Sequence, residues 1–480
     1  MLISAKDIFS SVQRSAFSVQ RLEIELPLSK SESNRALMIE HYAGIQNLKI
    51  LATQQLSNSV SLSNSDDTVL LQKHLNTLNK YLQGSLSGDC CPLTLELDCH
   101  NAGTVFRFLM TAVAVAETQS RRDANLTVRV DSQPRHLSTS ASQHLSILLT
   151  GSDRMKNRPI DSLVDALRSL GVVIEYKGRE GYPPILVRGG RIEGGRVEVS
   201  AEQSSQFASS LLLAAPLWKN GLELHLTGNL SSLPYIDMTI DMMRQCGIDV
   251  LRNERDITVK PGRYNIENIK VEPDWSAAAF WYEMASFSDN AEILLKNLNI
   301  NSLQADAAAI KMFESLGVET ISVEKDNRQQ TTDNSNSAVG CQLSVQRSEF
   351  SVQSSEFNFK DCPDLFPAVI AACAGNGVDA TFTGLKNLSI KESDRKHAMM
   401  NELSKIGISF EDVSDDELKM FCSEKLPYFS EENPIIFNNY DDHRIAMALS
   451  LLSMKIGTIS MENTDVVSKS YPDFFKVINQ

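Results

Sequence analysis

A recurring local pattern constrains the fold of this 480-residue chain more than any other feature. An amphipathic run is followed by a glycine and a short β-rich run at Gly171, Gly247, Gly317 and Gly407. Such a run predicts a helix, and glycine suits the left-handed position after a helix because it has no Cβ to clash there. One copy occurs in any α/β protein. Four copies, about 70 to 90 positions apart, predict repeated βαβ-containing units of similar size.

Strand-like and helix-like segments alternate in the rest of the chain as well. Residues 21–26 alternate polar and apolar side chains, as a half-buried strand does, and residues 101–110 are typical of a turn that opens a helix. The chain is too long for a single compact core. The sequence therefore predicts an α/β protein of two or three domains.

Composition excludes several classes of function. A net charge of -14 disfavours nucleic acid as a partner, although a local cluster of cations can still bind small anions. The N-terminus has no secretory pattern, and apolar stretches such as 108–116 are too short to span a bilayer. We therefore expect a cytoplasmic protein with no membrane partner. The eight cysteines lack zinc-site spacing and are expected to be free thiols.

Two segments have the character of insertions. Residues 11–20 are nearly repeated as 344–353, and the second copy follows a polar tract at 325–337. A segment of that composition has too few apolar side chains to order itself. We therefore expect a flexible insertion over residues 325–356.

Two stretches resemble anion sites. In Ser-Lys-Ser-Glu-Ser-Asn-Arg at 29–35, a helix beginning near Ser33 would place backbone N–H groups beside Lys30 and Arg35. In Asn-Ala-Gly-Thr at 101–104, Gly103 would let a phosphate approach the start of the next helix. Ordinary N-capped helices with solvated side chains explain each stretch, taken alone, equally well.

Further clusters of basic and hydroxyl residues lie at 150–159, 203–207, 232–237, 390–395, 441–444 and 468–470. On its own, the Lys-Glu-x-Asp-Arg pattern is usually a solvated ion-pair face. His443 follows two aspartates, but no second histidine lies at ligand spacing. We therefore expect a structural, hydrogen-bonded histidine and no metal.

Taken together and in order, these stretches resemble the 5-enolpyruvylshikimate-3-phosphate synthase family over essentially the whole chain. The matching stretches lie at 29–35, 101–104, 153–160, 204–206, 234–237, 391–395 and 442–444. The resemblance implies an α/β fold of two similar domains, each of three βαβαββ units, with the active site in the interdomain cleft. It implies a first, discontinuous domain at 1–28 and 272–480 and a second at 29–271.

The resemblance also implies the activity: transfer of the enolpyruvyl group of phosphoenolpyruvate to the 5-hydroxyl of shikimate 3-phosphate, by a monomer without cofactors. It implies that the first domain carries the general base and the residues that bind phosphoenolpyruvate. The second domain is implied to carry most of the contacts to shikimate 3-phosphate. For shikimate 3-phosphate, the positions implied are Lys30, Ser31, Arg35, Ser204, Ser205, Gln206, Ser232, Asp364, Asn387 and Lys391. For phosphoenolpyruvate they are Lys30, Gly103, Arg154, Gln206, Arg395, Arg444 and Lys469.

Three residues are implied to move protons. Asp364 matches the group that accepts the hydroxyl proton. Glu392 matches the group that protonates the methylene carbon, and Lys30 matches a cation that bridges both substrates. The resemblance also implies inhibition by glyphosate, because Gly103 leaves room beside the phosphate. Leu28 and Phe108 depart from the family pattern, which has glycine and proline there.

Two alternatives remain open. The enolpyruvyl transferase that acts on UDP-N-acetylglucosamine shares the fold and the donor, but we would expect a Lys-Asn pair near its start. An inactive relative that binds anions or partners would lack some of the acid, base and clamp residues. Phosphate release that requires shikimate 3-phosphate distinguishes the three possibilities.

Overall fold

The computed structural model describes residues 2–3, 22–46, 60–87, 94–123, 128–130, 133–135, 146–202, 204–323, 340–346 and 354–478. The chain forms two compact units. The first comprises Met1–Lys30, Ser63–Asp66 and Glu272–Gln480, and the second comprises Ser31–Leu62 and Asp67–Val271. Each unit is described by itself below.

The strands up to residue 259 are β1 (Leu2–Ile3), β2 (Leu22–Ile24), β3 (Thr94–Asp98), β4 (Val128–Val130), β5 (Gln133–Arg135), β6 (Ser146–Thr150), β7 (Val172–Tyr176), β8 (Ile185–Gly190), β9 (Gly195–Ser200), β10 (Leu222–Thr227), β11 (Val250–Asn253) and β12 (Asp256–Val259). The later strands are β13 (Asn290–Lys296), β14 (Glu319–Val323), β15 (Gly340–Gln346), β16 (Ser354–Asn358), β17 (Asp379–Thr383), β18 (Ser409–Ser414), β19 (Glu417–Phe421), β20 (Ile435–Phe437) and β21 (Ile459–Met461).

The helices up to residue 286 are α1 (Lys30–Gln46), α2 (Asp66–Ser87), α3 (Gly103–Asp123), α4 (Asp161–Ser169), α5 (Ser205–Ala214), α6 (Leu233–Gln245) and α7 (Trp275–Ser286). The later helices are α8 (Ala309–Glu314), α9 (Phe366–Asn376), α10 (Arg395–Ser404), α11 (His443–Leu451), α12 (Ser453–Ile456) and α13 (Phe474–Ile478). Short 3-10 turns precede several of them.

One sheet topology recurs four times. The second unit contains sheets of order β3-β6-β8-β7 and β11-β12-β10-β9, and the first contains β14-β15-β13-β2 and β16-β17-β19-β18. In each sheet, the first two strands in chain order are parallel, and the last two form an antiparallel hairpin beside the second. The same registers hold in the first unit. A parallel pair needs a crossover connection, which a helix supplies.

This arrangement is the βαβαββ unit, and two complete copies in each compact unit confirm the predicted α/β class and its repeats. Among the described residues, the third copy of the first unit is partial, with β20, α11 and β21 joined by β1. In the second unit, no described four-stranded sheet accompanies α1 and α2.

The four glycines of the recurring pattern end helices as predicted. Their φ angles are 94°, 84°, 85° and 89° at Gly171, Gly247, Gly317 and Gly407. Each glycine follows the last turn of its helix, and its N–H bonds back to a carbonyl three residues earlier. A side chain with a Cβ is disfavoured in this conformation, so the glycines mark where each helix gives way to a hairpin.

Each unit has its own apolar core, and helices buried on every side run through it. In the second unit, α5 is buried along nearly its whole length, as is α7 in the first. Such helices are apolar all round, and this explains why they lack the amphipathic pattern that marks a surface helix. The N-terminal end of α5 carries Ser204, Ser205 and Gln206, three residues of the candidate site.

The prediction of a flexible insertion over 325–356 is wrong for residues 340–346. They form β15, which pairs with β13 on one side and β14 on the other. Cys341, Leu343 and Val345 point into the core. Alternating burial and ladder hydrogen bonds on both sides explain its order. Residues 354–356 also begin β16, while 324–339 and 347–353 lie outside the described residues.

Candidate active site

In the first unit, the N-terminal ends of three helices meet at one carboxylate. Asp364 lies in the turn just before α9, Arg395 is the first residue of α10, and Arg444 is the second residue of α11. Arg395 Nη1 donates to Asp364 Oδ1 at 2.7 Å, and Arg444 Nη2 donates to Oδ2 at 2.9 Å. The positive ends of helix dipoles and two guanidinium groups therefore surround a single anionic position.

Asp364 is held as a carboxylate. Its side chain is 19% exposed, and Lys391 Nζ lies 3.5 Å from Oδ1. Burial by itself raises the pKa of Asp364, but the charges of Arg444, Lys391 and Arg395 outweigh it and hold the pKa well below its ordinary value. With these three cations in place, Asp364 is a weak base.

Glu392 lies beside the same guanidinium. Arg395 Nη2 donates to Glu392 Oε2 at 2.9 Å, and Lys469 Nζ lies 3.3 Å from Oε1. The Glu392 side chain is 13% exposed. The structure thus brings together five residues that the sequence predicted, from four separate stretches: Asp364, Glu392, Arg395, Arg444 and Lys469.

Asp442 holds this cluster in place and was absent from the predicted site. Arg395 Nε donates to Asp442 Oδ2 at 2.8 Å, and Ser393 Oγ donates to the same oxygen at 3.0 Å. The other oxygen, Oδ1, caps α11 by accepting from Arg444 N at 3.0 Å. The Asp-His-Arg motif contained the signal, since an aspartate before a helix is a typical N-cap.

Arg444 is equipped to receive an anion. Its side chain is 4% exposed, and its Nε has no hydrogen-bond partner among the described residues. Burial lowers the pKa of Arg444, but the carboxylates of Asp364 and Asp306 more than offset that effect and the net pKa is raised. A buried guanidinium with an unused donor matches the planar geometry of a carboxylate.

Lys30 and His443 lie in the same electrostatic environment. The Lys30 backbone N–H donates to Asp274 Oδ2 at 3.2 Å. Burial, and then the charges of Lys30 and Arg444, hold the pKa of His443 well below its ordinary value, so its ring is neutral. The prediction of a hydrogen-bonded His443 is wrong among the described residues, because neither ring nitrogen has such a partner. Asn387 lies half-buried in the turn Lys386–Ile390.

In the second unit, Gly103 begins α3 between two arginines. A Cβ at position 103 would collide with the guanidinium groups of Arg158 and Arg107. Both side chains are buried, at 8% and 2% exposure. Two buried cations at the start of a 21-residue helix form a strong local anion site. Arg158 lies in the matching stretch 153–160, and Arg107 follows the stretch 101–104 by three residues. Neither is among the predicted site residues, since only packing shows that both side chains turn toward Gly103.

Gln206 connects this site with the start of α5. Its Oε1 accepts from Arg107 Nη1 at 3.0 Å, and its Nε2 donates to Thr104 Oγ1 at 2.7 Å. Ser204 caps α5, and its Oγ accepts from the Gln206 N–H at 3.2 Å. The N-terminal ends of α3 and α5 therefore share one hydrogen-bond network, which links Ser204 and Gln206 to Thr104, the residue after Gly103.

Arg35 is engaged with protein acceptors. Its Nε donates to Thr239 Oγ1 at 2.7 Å, and its Nη1 donates to the Ser31 carbonyl at 2.7 Å. Its Nη2 donates to the Tyr235 carbonyl at 3.0 Å. Burial lowers the pKa of Arg35 to about 10. The ring of Phe108, one of the departures from the family pattern, lies under this guanidinium with its centroid 5.8 Å away.

The remaining predicted residues of this unit lie at helix starts or turns. Ser31 is in the first turn of α1, Ser205 begins α5, and Arg154 precedes the turn Met155–Asn157. Ser232 occupies the N-cap position of α6 without a capping side-chain hydrogen bond, and its φ of 55° and ψ of 32° are a left-handed conformation that is strained for serine. Strain of this kind concentrates at functional sites.

Three further observations concern the described part of the chain as a whole. Within it, no group of three or more histidine, cysteine, aspartate or glutamate side chains is arranged to hold a metal ion. No helix in the same ranges is long and apolar enough to cross a membrane. Six of the eight cysteines are described, and all six are free thiols.

Comparison with known proteins shows relatives of similar sequence and fold. A curated 3-phosphoshikimate 1-carboxyvinyltransferase of Bacteroides fragilis strain YCH46 is 34% identical over 96% of this chain and 95% of its own length. One from Sulfurovum sp. strain NBC37-1 is 30% identical over 95% of each chain.

A solved EPSP synthase structure from Acinetobacter baumannii shares the fold, with a TM-score of 0.64 and 20% identity, covering 96% of this chain and 95% of its own. A family model described as EPSP synthase (3-phosphoshikimate 1-carboxyvinyltransferase) matches residues 18–478. The chain belongs to the EPSP synthase family.

Proposed function

We propose that this chain transfers the enolpyruvyl group of phosphoenolpyruvate to the 5-hydroxyl of shikimate 3-phosphate and releases phosphate. Membership of the family supports the reaction, and one observation carries the assignment to residues. Asp364 bridges the two arginines that we assign to the carboxylate of phosphoenolpyruvate, at 2.7 and 2.9 Å. A base and a carboxylate clamp are thus already assembled in the first unit.

We assign the carboxylate of phosphoenolpyruvate to Arg395 and Arg444. The incoming carboxylate competes with Asp364 for the same guanidinium groups, and it takes two of the three cations that now lower the pKa of Asp364. The pKa of Asp364 then rises toward the range of a useful general base. Substrate binding therefore activates the base, which accepts the proton of the 5-hydroxyl as that oxygen bonds to C2.

Proton transfer at C3 is assigned to Glu392, with Lys469 and Lys30 as nearby cations. Addition of the hydroxyl places a proton on C3 and forms a tetrahedral intermediate, and loss of phosphate with a proton from C3 completes the transfer. Lys469 lies 3.3 Å from Glu392 and can stabilise its ionised form after the first step. Acid and base are then separate groups, as the two steps require.

In the second unit, we assign phosphate groups to the helix starts. Gly103, Arg154 and Gln206 are assigned to the phosphate of phosphoenolpyruvate. Shikimate 3-phosphate is assigned to Ser31, Arg35, Ser204, Ser205 and Ser232, and in the first unit to Asn387 and Lys391. Arg107 and Arg158 add two buried charges beside Gly103 and support an anion there. We further propose a cytoplasmic monomer that needs neither nucleic acid nor membrane.

Phosphate release tests the proposal. Purified protein is assayed with phosphoenolpyruvate and either shikimate 3-phosphate or UDP-N-acetylglucosamine as acceptor. We expect release with shikimate 3-phosphate alone, together with a product that carries the enolpyruvyl group. Release with the nucleotide sugar would assign the other transferase, and no release with either acceptor would identify a binding protein.

A further inference from the structure

Two segments of the first unit lead directly to cations of the candidate site. The loop at 438–442 precedes α11, and its last residue, Asp442, caps that helix by accepting from the Arg444 N–H at 3.0 Å. The 3-10 turn Thr464–Lys469 ends at the lysine that pairs with Glu392 at 3.3 Å. The position of each cation therefore depends on how its segment is held.

The loop at 438–442 has a backbone conformation that needs support. Tyr440 and Asp441 both have a φ of 53°, in the left-handed region that residues with a side chain rarely adopt. Such residues persist where the surrounding structure holds them, and they concentrate at functional sites. Glu402 of α10 supplies part of that support, because its Oε1 accepts from Tyr440 Oη at 2.9 Å. Contacts from outside the loop thus help to fix its shape.

Asn439 reaches from this loop to the residues that begin the second segment. Its Nδ2 donates to the Glu462 carbonyl at 2.7 Å and to the Asn463 carbonyl at 3.2 Å. Its Oδ1 accepts from the Asp441 N–H inside the loop at 3.0 Å. Asn439 is 4% exposed, so water cannot easily replace these bonds when the amide is removed.

Asn463 makes the reverse connection. It is the N-cap residue of the turn Thr464–Lys469, with φ 48° and ψ 51°, and its Nδ2 donates to Asp441 Oδ1 at 2.5 Å. Asparagine side chains from both segments therefore join them in both directions. The Asp442 N–H also donates to the Asn439 carbonyl at 2.9 Å, which links the same residue to the cap of α11.

We propose that Asn439 is a positioning residue that fixes Lys469 relative to Arg444. The proposed function, on which this inference rests, assigns both cations to phosphoenolpyruvate. That substrate carries its phosphate and its carboxylate on one small molecule, so the groups that bind them must keep a set separation. A misplacement of about 1 Å can cost about 10²-fold in rate. Asn439 acts through the two segments that carry the cations.

The test compares Asn439→Ala with Asn438→Ala. The KM for phosphoenolpyruvate should rise about tenfold in Asn439→Ala, because its two cations lose their fixed separation. The KM for shikimate 3-phosphate should stay at the wild-type value. Asn438→Ala makes the same truncation at an exposed neighbour and should leave both KM values unchanged. Equal rises in both KM values, or a loss of kcat alone, would overturn the proposal, since either result describes a purely structural residue.

A double-mutant cycle tests whether Asn439 acts through Lys469. Residues that act as one unit have non-additive effects, so Asn439→Ala should raise the KM for phosphoenolpyruvate no further in a Lys469→Ala background. The same tenfold rise in both backgrounds would overturn the proposal.

Asn463→Gly supplies a second variant that approaches the connection from the other side. Glycine keeps the left-handed backbone but removes the bond to Asp441. We expect the KM for phosphoenolpyruvate to rise about threefold, since one hydrogen bond is lost. If Asn439→Ala does not fold, an unchanged KM in Asn463→Gly overturns the proposal.

Hydrogen exchange measures the connection without turnover. The Ser470 and Tyr471 N–H groups donate to the Val467 carbonyl at 3.1 and 2.8 Å and so report on the turn Thr464–Lys469. Their exchange should be about tenfold faster in Asn439→Ala, while the amides of α10 keep the wild-type rate. If exchange is faster but the wild type releases no phosphate, the proposed function fails and the connection through Asn439 stands. If exchange in the turn is unchanged, the inference fails whatever the enzyme does.

Discussion

At the residue scale, the candidate site of the first unit consists of arginine and carboxylate side chains that pair with one another before an anionic substrate binds. Asp364, Glu392 and Asp442 share the donors of Arg395, whose side chain is 1% exposed. A buried ion cluster of this kind contributes little net stability because desolvation offsets the attraction. It does keep the clamp residues in one geometry before substrate binds.

Replacing Asp364 with asparagine should separate catalysis from binding. The base is lost, so turnover should fall by about 10²-fold or more. The variant also removes the carboxylate that competes for Arg395 and Arg444, so the KM for phosphoenolpyruvate should stay the same or fall. Steady-state kinetics with both substrates measures both effects, and near-normal turnover would contradict the assignment of Asp364.

Ionisation of Asp306 should lower the free energy of unfolding as pH rises. Its pKa is about 7 in the folded state and 3.8 in an ordinary aspartate, so the folded state holds more protons between these values. The free energy of unfolding therefore falls as pH rises from about 4 to 7. The melting temperature of Asp306→Asn, relative to the wild type, should increase from pH 5 to pH 8. A constant difference across this range would show that Asp306 does not titrate there.

The substitution Gly103→Ala should weaken the binding of both phosphoenolpyruvate and glyphosate. The added methyl group meets the ends of Arg158 and Arg107, so these guanidinium groups must move. Inhibition kinetics at fixed shikimate 3-phosphate measures the inhibition constant beside the KM for phosphoenolpyruvate. We expect the wild type to be inhibited and the variant to lose more affinity for the inhibitor than for the substrate. A wild-type rate that millimolar glyphosate leaves unchanged would contradict the first expectation.

At the element scale, helix N-termini carry the chemistry, and glycines end the same class of helix. Asp364 lies in the turn just before α9, Arg395 is the first residue of α10 and Arg444 the second residue of α11. Left-handed glycines follow α9 and α10, at Gly377 and Gly407, whereas α11 is followed by Leu452 in the right-handed helical region. Each βαβαββ unit thus exposes polar groups where a helix begins and turns into a hairpin where it ends.

A pair of glycine substitutions in the second unit tests this division. Gly247 has φ 84°, and an added Cβ would meet nothing within 4 Å, so Gly247→Ala isolates backbone strain and should cost about 1 kcal/mol. Gly44 lies within α1 with equal space around it, so Gly44→Ala should stabilise the protein by about 0.5–1 kcal/mol. Denaturant unfolding measures both. If both variants changed the free energy of unfolding in the same direction, the explanation by the φ angle of Gly247 would be contradicted.

At the scale of the whole molecule, a chain with net charge -14 binds small anions through local geometry. In the first unit, carboxylates hold Arg395 and Arg444, and in the second unit Arg107 and Arg158 lie beside Gly103 at the start of α3. The net charge of the chain therefore does not determine which ligand binds. Ligand specificity comes from hydrogen-bond donors that are oriented at short range.

Ligand binding should therefore raise the stability of the native chain selectively. Shikimate 3-phosphate at one hundred times its Kd should add about 2.7 kcal/mol to the free energy of unfolding, because only the folded state binds it. Differential scanning fluorimetry should show a rise of a few degrees in melting temperature. The same concentration of UDP-N-acetylglucosamine should leave it unchanged, and an equal rise with the nucleotide sugar would contradict the assigned acceptor.

The sequence by itself determined the fold class and the repeats, and the order of its motifs indicated the family. Left-handed glycines, helix starts and the order of the motifs are local or linear features, so Gly171, Lys391 and Arg444 could be placed without coordinates. Only the tertiary structure decided which side chains meet. Arg107 and Arg158 turn toward Gly103, Asp442 and Asp306 act on Arg395 and Arg444, and β15 is ordered inside a predicted insertion. Burial, partner geometry and strand pairing arise between residues far apart in the chain, where no local pattern records them.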